Sequence, residues 1–83
     1  MLKVSVISPE AVLFEGETDS VVAPAYDGEI GILTGHAPLM ALLGDGALRL
    51  GGTAGPRFSV SGGFMQVLNN DVRVVTEKAT AAN

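Results

Sequence analysis

Apolar and polar positions alternate almost from the first residue. Leu2, Val4 and Val6 are spaced by Lys3 and Ser5, and Ser8-Pro9-Glu10 ends the run. This is the pattern of a half-buried strand of about residues 2 to 8 closed by a turn. Ala11 to Glu15 and Ser20 to Ala23 read as two further short strands, separated by the polar Gly16-Glu17-Thr18-Asp19 and stopped by Pro24. Asp27-Gly28 is a tight-turn signal, and Glu29 to Leu33 a strand whose Gly31 points to a bulge or to close approach of another backbone. Ala37 to Leu43 fits either a helical turn or a strand, and the extended form is preferred.

Asp45-Gly46 marks the next turn, Ala47 to Leu50 a strand, and Gly51 to Pro56 a flexible loop too short to divide domains. Phe58 and Val60, then Phe64, Met65, Val67 and Leu68, flank Ser61-Gly62-Gly63, a bend that carries the chain around a corner. Asn69-Asn70-Asp71 closes a hairpin, and Val72, Val74 and Thr76 alternate in the last strand. Short strands with turn signals every eight to twelve residues or so, and no amphipathic helix, predict an all-β fold. The expected form is a flattened antiparallel sandwich or barrel formed by residues 1–79 as one domain, with a short tail at 80–83.

Composition narrows what such a domain does. A chain of 83 residues buries only about 60% of its unfolded surface, and without cysteine no disulfide adds to that core. Charged residues make up 17% of the sequence, below the roughly 25% of ordinary soluble domains, so apolar surface is expected to await a cover. The net charge is −4, and the five basic residues stand singly; no nucleic acid or anionic lipid is expected as a partner. The stretch Ile30 to Gly44 carries no Asp, Glu, Lys or Arg. It is shorter than the ~18 apolar residues of a spanning helix, so no membrane insertion is expected. The chain opens directly on a strand pattern and not on an export signal, which makes a cytoplasmic address the expectation.

Asp27, Glu29 and His36 form the densest polar cluster. They are the one candidate for a divalent metal or a small polar ligand, although a metal site ordinarily needs a third strong ligand besides a solvated pair. The plainer reading is a turn aspartate, a solvated strand glutamate and a loop histidine. The serines lack the setting of an activated nucleophile, and Gly28 to Leu33 lacks the lysine and hydroxyl of a phosphate loop. Lys3 and Lys78 lie in or beside terminal strands and not at a hairpin tip suited to a tethered cofactor. No catalytic residue, cofactor or metal is therefore expected.

The run Asp27-Gly28-Glu29-Ile30-Gly31-Ile32-Leu33-Thr34-Gly35-His36-Ala37-Pro38-Leu39 closely resembles the signature of ATP synthase epsilon subunits, a G-E-x-G turn strand leading into a P-G-H-A-P loop. Val4 to Phe14, Leu42 to Leu50, Ser61 to Phe64 and Val72 to Ala79 resemble further stretches of the same family in order, so the likeness covers residues 2 to 79. It implies a flattened sandwich of about ten strands in the rotor of an F-type ATP synthase. Such a subunit is non-catalytic and couples the c-subunit ring to the gamma subunit. It lies peripherally on the cytoplasmic face of the bacterial inner membrane. By motif, Gly28, Glu29 and Ile30 would meet the c-ring, and His36, Ala37, Pro38 and Leu39 the gamma subunit. Thr34 departs from the proline of most relatives, freeing φ and restoring an N–H. Relatives commonly continue into a C-terminal helical hairpin that restrains hydrolysis and in some members binds ATP. That hairpin takes about 40 further residues, so neither property is expected of this stretch. The competing expectation is a stand-alone sandwich that binds a metal or small polar ligand at Asp27, Glu29 and His36.

Overall fold

In the computed structural model, which describes residues 1–52 and 55–82, the ordered elements are all strands. They are β1 (Leu2–Ile7), β2 (Val12–Thr18), β3 (Ser20–Ala25), β4 (Gly28–Leu33), β5 (Leu39–Leu42), β6 (Asp45–Leu50), β7 (Arg57–Ser61), β8 (Phe64–Leu68), β9 (Asp71–Val75) and β10 (Lys78–Ala82). They form two five-stranded sheets, one in the order β2-β1-β9-β8-β5 and the other β10-β7-β6-β3-β4. Neighbours are antiparallel except β1 and β9, which run parallel with Val4 opposite Val72 and Val6 opposite Val74.

The alternation read along the chain becomes the two inner faces. Leu2, Val4, Val6, Met65, Val67, Val72 and Val74 from the first sheet meet Val21, Ala23, Ile32, Leu48, Leu50, Phe58 and Val60 from the second, all buried. Phe14 and Phe58 join the sheets edge to face, with ring centroids 6.4 Å apart, an arrangement aromatic quadrupoles favour. Burial of this apolar set is the main favourable term in folding.

The chain changes sheets at the Ser61-Gly62-Gly63 corner, as its glycines indicated. Gly63 has φ +99, and a Cβ there would stand 2.6 Å from the Cα of Thr76. Thr76 is buried, and its hydroxyl lies 3.0 Å from the carbonyl oxygens of Gly62 and Lys78, to either of which it donates. Its own N–H reaches the carbonyl of Ile7 at 2.9 Å. A buried hydroxyl so placed closes backbone groups that a bend would leave open.

Several expectations are corrected. The polar stretch Gly16 to Thr18 lies inside β2 and does not separate two strands. β2 is an edge strand, so Glu15 and Glu17 face water while Thr18 turns inward, a period-two pattern built from polar residues. Pro24 does not stop β3, which continues to Ala25. The pairing of β3 with β6 is confined to Val21 and Val22, so a missing N–H at Pro24 costs no bond in that ladder. Gly31 makes no bulge, since β3 and β4 stay in register from Ser20–Leu33 to Ala25–Gly28. A Cβ at Gly31 would meet nothing within 4 Å. Residues 80–82 are not a tail but part of β10, paired to β7 from Lys78–Ser61 to Ala82–Arg57. β10 is an edge strand made mostly of small residues, and Ala79 packs on the core, which explains its weak sequence pattern. Thr53 and Ala54, at the centre of the expected loop, and Asn83 lie outside the described residues.

Candidate functional site

β4 carries the singled-out residues at its two ends. At its start, the chain leaves β3 through Tyr26 and Asp27 and enters β4 at Gly28, whose φ of +134 suits the tight reversal. Glu29 points outward, opposite Pro24. Ile30 pairs with Ala23 and packs against the core. Of the Gly28, Glu29 and Ile30 set, the side chain that faces solvent is therefore that of Glu29 alone.

Glu29 has a partner that its sequence neighbourhood did not disclose. Arg49 on β6 reaches across β3, and its Nη2 lies 3.3 Å from one carboxylate oxygen and 3.5 Å from the other. The pair is open to solvent, with the Glu29 side chain 62% exposed. Arg49 in turn stands directly opposite Arg57 on β7. Nε of both arginines is enclosed without a hydrogen-bond partner among the described residues.

At the other end of β4, Leu33-Thr34-Gly35-His36 forms a turn closed by the His36 N–H donating to the Leu33 carbonyl at 3.1 Å. Gly35 at its third position has φ +87, the geometry of a type II turn. His36 Nδ1 lies 2.7 Å from the carbonyl oxygen of Ala37. A carbonyl oxygen only accepts, so Nδ1 is the donor in that contact. Ala37 and Pro38 are exposed, whereas Leu39 packs against the core and Met40 beside it faces out. The Gly35 N–H donates to the side-chain oxygen of Asn70, 2.7 Å away in the β8–β9 hairpin.

The Asp27, Glu29 and His36 cluster is not brought together. Asp27 and Glu29 sit at one end of β4 and His36 beyond the other, separated by the roughly 13 Å of strand from Glu29 to Leu33. Among the described residues no three acidic, histidine or cysteine side chains are grouped to hold a metal ion.

Sequence reasoning also missed a row of apolar side chains on the outer face of the first sheet. Leu42 stands opposite Phe64, Phe64 opposite Val75, Val75 opposite Ile7, and Ile7 opposite Val12, one residue from each strand. Leu42 is 67% and Val12 58% exposed. The Tyr26 N–H donates to the Leu42 carbonyl at 2.8 Å, so the row lies at the same end of the sandwich as Glu29. The signal was present as the outward members of each alternating strand, yet only pairing shows that they line up.

Comparison with known proteins agrees with this architecture. A family model described as the β-sandwich domain of the ATP synthase delta/epsilon chain matches residues 1–82. The ATP synthase epsilon chain of Leptospira borgpetersenii serovar Hardjo-bovis is 49% identical over 77 residues, covering 92% of this chain and 61% of the relative. That of Syntrophomonas wolfei is 45% identical over 76 residues, covering 89% and 56%. The chain thus spans about three fifths of the length of these curated relatives. A chain in the mitochondrial ATP synthase of Euglena gracilis shares the fold with a TM-score of 0.86 at 23% identity, over 96% of this chain and 52% of that one. With the fold, the motif order and the sequence identity in agreement, this chain belongs to the ATP synthase delta/epsilon family, as its β-sandwich domain.

Proposed function

We propose that the chain is a non-catalytic central-stalk subunit of an F-type ATP synthase, which couples rotation of the c-ring to the gamma subunit and so to ATP synthesis on other subunits. The observation that carries this reading is the division of labour along β4. A coupling element needs two contact surfaces held at a fixed distance, and here one edge strand of the sandwich carries Glu29 at one end and the His36 loop at the other. Glu29, with the backbone of Gly28, is assigned to the polar loops of the c-ring. His36, Ala37 and Pro38 are assigned to gamma, and Leu39 and Ile30 support these contacts from the core side.

The apolar row from Leu42 to Val12 supports the same reading, because an exposed stripe of this kind is more at home under a partner than in water. The names of the relatives and of the matched Euglena gracilis assembly, which includes a c-ring, support it further. Among the described residues no helix is long and apolar enough to cross a membrane. The proposal places the chain peripherally, held by its partners on the cytoplasmic face of the bacterial inner membrane.

The test is binding of the chain to gamma from the same source, measured by calorimetry beside His36→Ala and Glu29→Gln. The expected result is that His36→Ala weakens binding to gamma and Glu29→Gln does not, while Glu29→Gln lowers coupling in the assembled synthase. Absence of binding to gamma at micromolar concentrations would overturn the proposal.

A further inference from the structure

The β8–β9 hairpin turns through Asn69 and Asn70, with φ of 51 and 63 between the paired residues Leu68 and Asp71. Two successive left-handed residues make a type I′ turn, for which glycine at the second position is at least as good as asparagine. The turn alone therefore does not call for the side chain of Asn70. That side chain accepts the Gly35 N–H at 2.7 Å, across 35 positions of sequence. The Asn70 carbonyl meanwhile accepts the Lys3 N–H at 2.8 Å. One residue thus gathers the start of β1, the tip of the β8–β9 hairpin and the loop leaving β4.

The loop is held at its two ends, by Leu33 paired with Ser20 and by Leu39 paired with Val67, and between them its hydrogen bonds are few. Among the described residues, the hydrogen bonds of residues 34–38 are the His36 N–H to Leu33, the His36 ring to Ala37, and the Gly35 N–H to Asn70. The first two are local and shape the turn without fixing where it points. Thr34 adds no stiffness of the kind proline would give at this position. The chain enters the opposite sheet at Leu39, paired with Val67; among the described residues the bond to Asn70 is the one hydrogen bond that ties the turn itself to that sheet.

We propose that Asn70 is the positioning residue for the His36 loop, latching it to the β8–β9 hairpin so that His36, Ala37 and Pro38 are presented to gamma already ordered. This rests on the assignment of that loop to gamma. Pre-ordering raises affinity by removing the cost of fixing the loop on binding. The latch replaces with a side chain the order that a stiffer turn residue would supply from within the loop.

Asn70→Gly removes the acceptor and keeps the turn, while Asn70→Asp keeps both an acceptor and tolerance of the left-handed conformation. In the full chain, Asn70→Gly should leave the melting temperature unchanged or slightly higher. The Gly35 amide should exchange with solvent at least about tenfold faster, as expected for a hydrogen bond lost at a locally opening site. Affinity for gamma should fall about three- to tenfold, the range for one hydrogen bond. Asn70→Asp should restore both. Unchanged Gly35 exchange in Asn70→Gly would overturn the latch outright. Faster exchange with unaltered gamma affinity, in a protein whose affinity His36→Ala does lower, would overturn the positioning role and leave the assignment of the loop standing. Failure of His36→Ala itself to lower affinity would instead remove that assignment, with the latch still judged by exchange.

Discussion

Arg49 and Glu29 are bound to each other across an intervening strand, with Nη2 of the arginine 3.3 Å and 3.5 Å from the two carboxylate oxygens. Their backbones are two strand spacings apart, about 10 Å, a span that a long side chain lying over β3 covers. The contact holds the glutamate against the sheet without burying it. Exposed pairs of this kind contribute little to folding, typically under 1 kcal/mol. Glu29→Gln should therefore change the unfolding free energy by less than about 0.5 kcal/mol, as read by denaturant titration. A loss several times larger would show that the pair is structural.

Arg57 offers a contrary case. It faces Arg49 directly across β6 and β7, and its Nε is enclosed without a partner among the described residues. Like charges directly opposite one another destabilise a sheet, and threonine has good strand propensity. Arg57→Thr should raise stability by a few tenths to about 1 kcal/mol. A shift of the denaturation midpoint to lower denaturant would refute this.

Thr34 occupies the second position of the turn closed by His36 and Leu33, where proline's fixed φ is already suited. Leu33 before it is extended, as a residue preceding proline prefers. Thr34→Pro should stabilise the chain by about 0.4–1 kcal/mol through the unfolded state. Calorimetric melting would register this as a higher midpoint, and a lower one would show that the turn has another geometry.

Gly63 lies at the corner where the chain crosses between sheets, with φ +99 and the Thr76 Cα 2.6 Å from any added Cβ. Gly63→Ala should cost at least about 2 kcal/mol, from an unfavourable backbone conformation and a steric clash combined. The check is the unfolding midpoint beside that of Gly31→Ala, where a Cβ meets open space and the cost should be small.

Much of the fold was legible because each buried strand advertises one face. β1, β8 and β9 alternate cleanly, and the Asn69-Asn70 and Gly62-Gly63 signals mark real reversals. The edge strands were harder. β10 buries too little for its small residues to form a pattern, and β2 hides its second half behind glutamates that face water. Pro24 misled because the proline rule applies to a paired N–H, and on the side of β6 Pro24 is bonded through its carbonyl, which accepts the Gly44 N–H at 2.8 Å. At the candidate site, the turn and loop chemistry of Gly28, Gly35 and His36 could be read locally. The partners Arg49 and Asn70 could not, since each arrives from a distant strand or hairpin and only the pairing order brings it near.

The parallel pairing of β1 with β9 has a consequence for how the protein is made. Leu2 to Ile7 cannot complete its sheet until Asp71 to Val75 exists, so during synthesis the first strand leaves the ribosome long before its second neighbour. Until then β1 has only the hairpin with β2, and a lone two-stranded hairpin is marginal in water. Pairing so distant in sequence closes late and slowly. The nascent chain therefore carries Val4 and Val6 unburied on one flank through most of the synthesis of this domain, and the sandwich shuts only when nearly the whole domain has emerged.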